Sequence, residues 1–115
     1  MSIIVAYNDA WDNGDVDVLA EILHDEFVFN PHVGGLTMGK SDALEFAGTG
    51  AVTSEGNRIL FENGEVGVSH SVVHFANGSA SEAVLSFMQF KDGKIVSMET
   101  GATPLSDDYR VVGSD

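Results

Sequence analysis

Hydrophobic positions along this chain follow a helical period first and a strand period afterwards. Ile4, Tyr7 and Trp11 share one face of a first predicted helix, with Ser2 as its N-cap and Gly14 as its left-handed stop. Asp15 caps a second helix whose apolar stripe is Val18, Leu19, Ile22 and Leu23. Residues 26–30 read as a short strand through Phe27, Val28 and Phe29, ended by Pro31, because proline lacks the N–H that a ladder needs. The Gly34-Gly35 pair marks a loop. Ser41 predicts the cap of a third short helix carrying Leu44 and Phe46, and Gly48, Gly50, Ser54 and Gly56 predict an irregular connection.

From Arg58 onward the pattern is strand and turn. Strands are expected over 58–62, 65–75, 80–90 and 95–102, separated by Asn63-Gly64, Asn77-Gly78 and Asp92-Gly93, and these dipeptides are strong hairpin signals. The four strands should therefore form an antiparallel meander, stopped at Pro104. The acidic tail, 105–115, holds Tyr109, Val111 and Val112 and is expected to be loosely ordered or packed on a partner. Helices followed by a run of strands give an α+β class: one domain over 1–115, core 2–104, with a curved antiparallel sheet wrapped around the N-terminal helices.

Composition narrows the partners. The 115 residues are 43% hydrophobic and 20% charged, which suits one globular domain with room for one core and one pocket. Eighteen acidic residues stand against Lys40, Arg58, Lys91, Lys94 and Arg110, a formal charge of −13 that repels phosphate backbones and anionic lipid. No nucleic-acid or membrane partner is expected, and the same charge also serves solubility. There is no Cys, which excludes disulfides, thiolate metal sites and cysteine nucleophiles. The apolar run at the N-terminus is too short for a signal peptide or a membrane span, so a cytoplasmic location is the default expectation.

The chemistry-bearing pattern lies in the third and fourth predicted strands. His70, Val72 and His74 alternate onto one face, and Glu82 lies on the next strand. With a bulged turn at Asn77-Gly78, Glu82 lies on that same face, opposite Val72 and diagonal to both imidazoles. One imidazole would then act as general acid or base, oriented by Glu82. A tight two-residue turn instead shifts the pairing by one, so that Ser69, Ser71 and Val73 face inward and both histidines become ordinary polar residues of the outer face. No metal is expected: residues four apart on a strand stand about 13 Å from each other, and His32 brings no third ligand.

Several local motifs occur in a telling order: Tyr7 in the first helix, Asn13-Gly14-Asp15, Phe29-Asn30-Pro31, Gly39-Lys40, and Phe90-Lys91-Asp92-Gly93-Lys94-Ile95. In this order they resemble the SnoaL-like group of the nuclear transport factor 2-like superfamily, and the chain is similar to the ketosteroid isomerases. The resemblance implies a cone-shaped sheet with an apolar pocket at its wide end, no cofactor, and a homodimer, for which the outer sheet face with Leu85, Phe87 and Glu99 is the expected interface. It implies a pocket built from Trp11, Asn30, Phe46, Val72, Val84, Ser86, Met98 and Thr100. Tyr7 falls where the isomerases carry an oxyanion-donating tyrosine. Asn30 stands where their proton-abstracting aspartate belongs and, as an amide, cannot act as that base. Ser86 takes the place of their second acid. The expected function is acid-base chemistry of the isomerase, cyclase or hydratase type on a small apolar oxygenated molecule, carried by His70, His74, Glu82 and Tyr7. The alternative is a noncatalytic ligand-binding or dimeric accessory module of the same fold.

Overall fold

A computed structural model describes residues 2–33 and 35–105, so the expectation for residues 106–115 lies outside the described residues. Helix α1 (Ile3–Asn13) starts where Ser2 Oγ accepts the Val5 N–H at 3.1 Å and stops at Gly14, whose φ of 64° is costly for any residue with a Cβ. Asp15 caps α2 (Val16–Ile22) by accepting the Val18 N–H. The chain then turns directly into β1 (Leu23–Asn30), so Leu23 opens a strand and does not complete the helical stripe. The two-residue β2 (Met38–Gly39) leads into α3 (Lys40–Ala47), which is capped at Gly39, two residues before the expected Ser41. Four long strands follow: β3 (Val52–Glu62), β4 (Val66–Phe75), β5 (Glu82–Lys91) and β6 (Lys94–Pro104).

One sheet of order β2-β1-β6-β5-β4-β3 results. The last four strands form the expected antiparallel meander, while β1 returns parallel to β6 and makes the sheet mixed. β3 is twice the expected length because its first half is hidden in sequence among glycines. Gly56, at φ 62°, sits in a bulge between Glu55 and Arg58, which lets one strand continue through what reads locally as a loop. At Asp92-Gly93 both residues have positive φ, 56° and 74°, and Lys91 pairs with Lys94, the geometry of a type I′ hairpin.

The three helices lie against one face of this sheet. Ile4, Ala10, Leu19 and Leu23 pack with Phe27, Ala43, Ala47, Met88 and Ile95 into a dry core at one end. Gly67 of β4 lies beneath Ile4, and an added Cβ there would sit 2.7 Å from Ile4 Cδ1 and 3.0 Å from Phe90 Cζ. Glu62 closes the seam from the end of β3: its carboxylate accepts from the Ser2 hydroxyl at 2.6 Å and from the Ile3 N–H at 3.3 Å. Among the described residues no helix is long and apolar enough to cross a membrane.

Candidate active site

Strand register decides what faces the helices. On β5 the buried residues alternate, Val84, Ser86 and Met88, while Leu85 and Phe87 point outward. Val84 pairs with Ser71 and Glu82 with Val73, so on β4 the inward set is Gly67, Ser69, Ser71 and Val73. The pairs are symmetric about the Asn77–Gly78 bond and the last of them is Val73 with Glu82; the residues between the strands, 76–81, hold a turn in which Gly78, at φ 85°, donates its N–H to the Phe75 carbonyl and the Asn77 side chain accepts the Ser79 N–H. Parity therefore sends His70, Val72 and His74 to the outer face, correcting the bulged-turn expectation.

Neither histidine meets Glu82. His74 is held on the outer face between Ser81 Oγ, 2.6 Å from Nδ1, and Glu55 Oε1, 2.8 Å from Nε2. His70 lies between Arg58 of β3 and Leu85 of β5. Asn30 is displaced too: it pairs with Glu99 in register, and its Oδ1 accepts the His32 N–H at 2.9 Å, while the neighbouring Phe29 takes the inward position beside Met98. Glu99 lies outward as expected and meets His32 Nε2 at 3.2 Å.

Beyond the core the two layers diverge around a hollow of about 650 Å³. Its apolar wall includes Phe29, Leu36, Met38, Phe46, Val52, Val73, Phe75, Val84, Met98 and Ala102. Tyr7 and Trp11 line it from α1, Ser86 and Thr100 from the sheet, and Glu82 from the start of β5 beside Pro104. Tyr7, Trp11, Phe46, Val84, Ser86, Met98 and Thr100, each expected in the pocket or its chemistry, line this hollow; Glu82 lines it too, but opposite Val73 and not, as expected, opposite Val72 beside the imidazoles. Ser71 and Val73 belong to the inward set of the alternative register, Ser69, Ser71 and Val73, whereas Phe75 was not singled out in the sequence. Val52 and Ser54 were masked by the unrecognised half of β3.

Local chemistry distinguishes the two carboxylates. Asp12 is engaged as a staple between α1 and β3, accepting the Ser54 N–H at 2.7 Å and approached by the Ser54 hydroxyl at 2.9 and 3.1 Å. Glu82 has no hydrogen bond or ion pair among the described residues and borders the hollow. Ser86 and Thr100 are register partners on adjacent strands, both buried, so their hydroxyls form a polar strip across an otherwise apolar floor. Burial pushes the Tyr7 hydroxyl far above the ordinary phenol range, which keeps it a proton donor at any physiological pH. Trp11 stands one turn further along, its ring 6.1 Å from Tyr7 and packed edge-on against Phe46 at 5.8 Å. No cluster of three His, Asp or Glu side chains that could hold a metal occurs among the described residues.

Comparison with other proteins agrees with this architecture. Solved structures with the same fold include an NTF2-like protein of unknown function from Cytophaga hutchinsonii (TM-score 0.75, 16% identity, covering 89% of this chain and 88% of that one). They also include a proposed ketosteroid isomerase from Kribbella flavida (TM-score 0.76, 13% identity, 95% and 81%). A third is an LEH-like epoxide hydrolase from M. tuberculosis (TM-score 0.67, 18% identity, 88% and 80%). No curated protein matches the sequence. The profile of the SnoaL-like domain matches residues 4–98, nearly the whole helix-and-sheet unit, and the chain belongs to that family, with the nuclear transport factor 2-like fold.

Proposed function

We propose that the hollow binds a small, mainly apolar molecule bearing a carbonyl or hydroxyl oxygen, and that Glu82 and Tyr7 perform acid-base chemistry on it without a cofactor. The observation that carries this reading is the composition of the hollow: about 650 Å³ of largely hydrocarbon wall interrupted by a few polar groups on two sides. No lysine or arginine is among its lining residues, which disfavours an anionic ligand. Glu82, the carboxylate not tied to a neighbour, would take a proton from a carbon or a water. The Tyr7 hydroxyl would donate to the oxygen on which negative charge develops. Solved structures of this fold include an epoxide hydrolase and a proposed ketosteroid isomerase, so the scaffold is compatible with such chemistry.

The test is ligand-induced stabilisation followed by turnover. A bicyclic ketone such as 2-decalone should raise the melting temperature of the wild-type chain. Ala102→Phe, which fills the hollow, should remove that shift. Glu82→Gln should retain the shift and lose turnover of any substrate found in a ketone and epoxide panel. Turnover retained in Glu82→Gln would overturn the role given to Glu82, whereas a ligand shift in the wild-type chain with no turnover across the panel would leave the noncatalytic binding reading, which the tethering of Asp12 by Ser54 favours. A second copy of the chain is proposed to cover the outer face, where Phe61, Leu85 and Phe87 are exposed on one side of the sheet.

A further inference from the structure

The indole N–H of Trp11 is buried and has no hydrogen-bond acceptor, the one such side-chain polar atom among the described residues. Leaving a buried donor unpaired is costly, and natural structures avoid it unless something else completes the bond. Trp11 is one helical turn from Tyr7 on the same face of α1, both rings line the hollow, and their planes are inclined at 58°. Phe46 packs edge-on against the indole, with ring centroids 5.8 Å apart.

A phenol has one proton and can accept as well as donate. When Tyr7 gives its proton to a ligand oxygen, its own oxygen becomes a stronger acceptor, because hydrogen bonds in a chain polarise one another. The orphaned indole N–H is the neighbouring donor that can use it. We propose that Trp11 is a positioning residue for Tyr7: ligand binding closes a chain in which the Trp11 N–H donates to the Tyr7 hydroxyl and that hydroxyl donates to a carbonyl oxygen of the ligand. This rests on the pocket reading above and adds a selectivity for carbonyl-bearing over plain hydrocarbon ligands.

The sequence contains a single tryptophan, so its indole proton gives one unambiguous resonance in a ¹⁵N-labelled sample. The probes are 2-decalone and decalin, which match in shape and carry no ring currents. Addition of 2-decalone should move the indole resonance downfield, decalin should not, and Tyr7→Phe should abolish the ketone-specific shift. The ketone should bind about tenfold more tightly than the hydrocarbon, a ratio that Trp11→Phe reduces about threefold. Equal shifts with both probes would reduce Trp11 to a piece of wall and overturn the proposal while leaving the pocket reading intact. A ketone-specific shift that persists in Tyr7→Phe would mean direct donation to the ligand and would also overturn it. If neither probe binds, the pocket reading falls and this inference with it.

Discussion

At the scale of single residues, the environment of each polar group matters more than its type. Tyr7 is a phenol held neutral by burial, and this has a consequence for stability. Below about pH 10 the folded and unfolded chains both keep the proton; above it the unfolded chain releases it while the folded one does not, so stability falls as pH rises. Denaturant titrations between pH 9 and 11 should show a decline in wild type that exceeds that of Tyr7→Phe by up to about 1.4 kcal/mol per pH unit. The histidines carry the opposite expectation. Because His70 and His74 face away from the hollow, His70→Gln and His74→Gln should each leave the affinity for 2-decalone within twofold of wild type, measured by calorimetry. Candidate residues were legible as types, Tyr7, Glu82 and Ser86 among them. What could not be read was direction, since an alternating strand such as 66–75 presents chemically reasonable sets, Ser-Ser-Val or His-Val-His, on either face.

At the scale of elements, turns and caps carry most of the legible information. Ser2, Gly14, Asp15 and Asp92-Gly93 act where the sequence places them, because each solves a local backbone problem that few other residues solve. Asn77-Gly78 is legible as a turn, but the parity of β4 against β5 is set by the whole connection, 76–81, whose length and path the dipeptide alone does not give. Non-local causes escape such reading. The first half of β3 exists because Ser54 pairs with Val73 and meets Asp12, contacts 19 and 42 residues away in sequence, which outweigh the breaking tendency of Gly50 and Gly56. Among the described residues β2 has β1 as its one strand partner. Gly67 gives this scale its test. With Ile4 and Phe90 pressed against the backbone, Gly67→Ala should cost about 1–3 kcal/mol by overpacking, read from urea denaturation, whereas Gly64→Ala, which meets no neighbour, should cost well under 1 kcal/mol.

At the scale of the molecule, one sheet serves two purposes by virtue of its alternation. The inner face supplies a dry core at one end and a hollow at the other; the outer face carries Leu85, 51% exposed, and Phe61, 53% exposed. If a second copy covers that face, Leu85→Glu should convert the chain to a monomer in sedimentation analysis while circular dichroism stays unchanged. The α+β class and the helix-then-meander order were legible because they depend on periodicity alone. The parallel return of β1 to β6 was not, because pairing between strands separated by most of the chain leaves no local trace.

The central claim is that the hollow is a ligand site walled by one defined set of alternating β4 residues. Chemical-shift mapping of the ¹⁵N- and ¹³C-labelled chain during titration with 2-decalone tests it most directly. The side-chain resonances of Ser71, Val73, Val84 and Ser86 should move together and saturate, while those of His70, Val72 and His74 stay in place. Saturable movement of the His70, Val72 and His74 set, or no movement at either set, would contradict it.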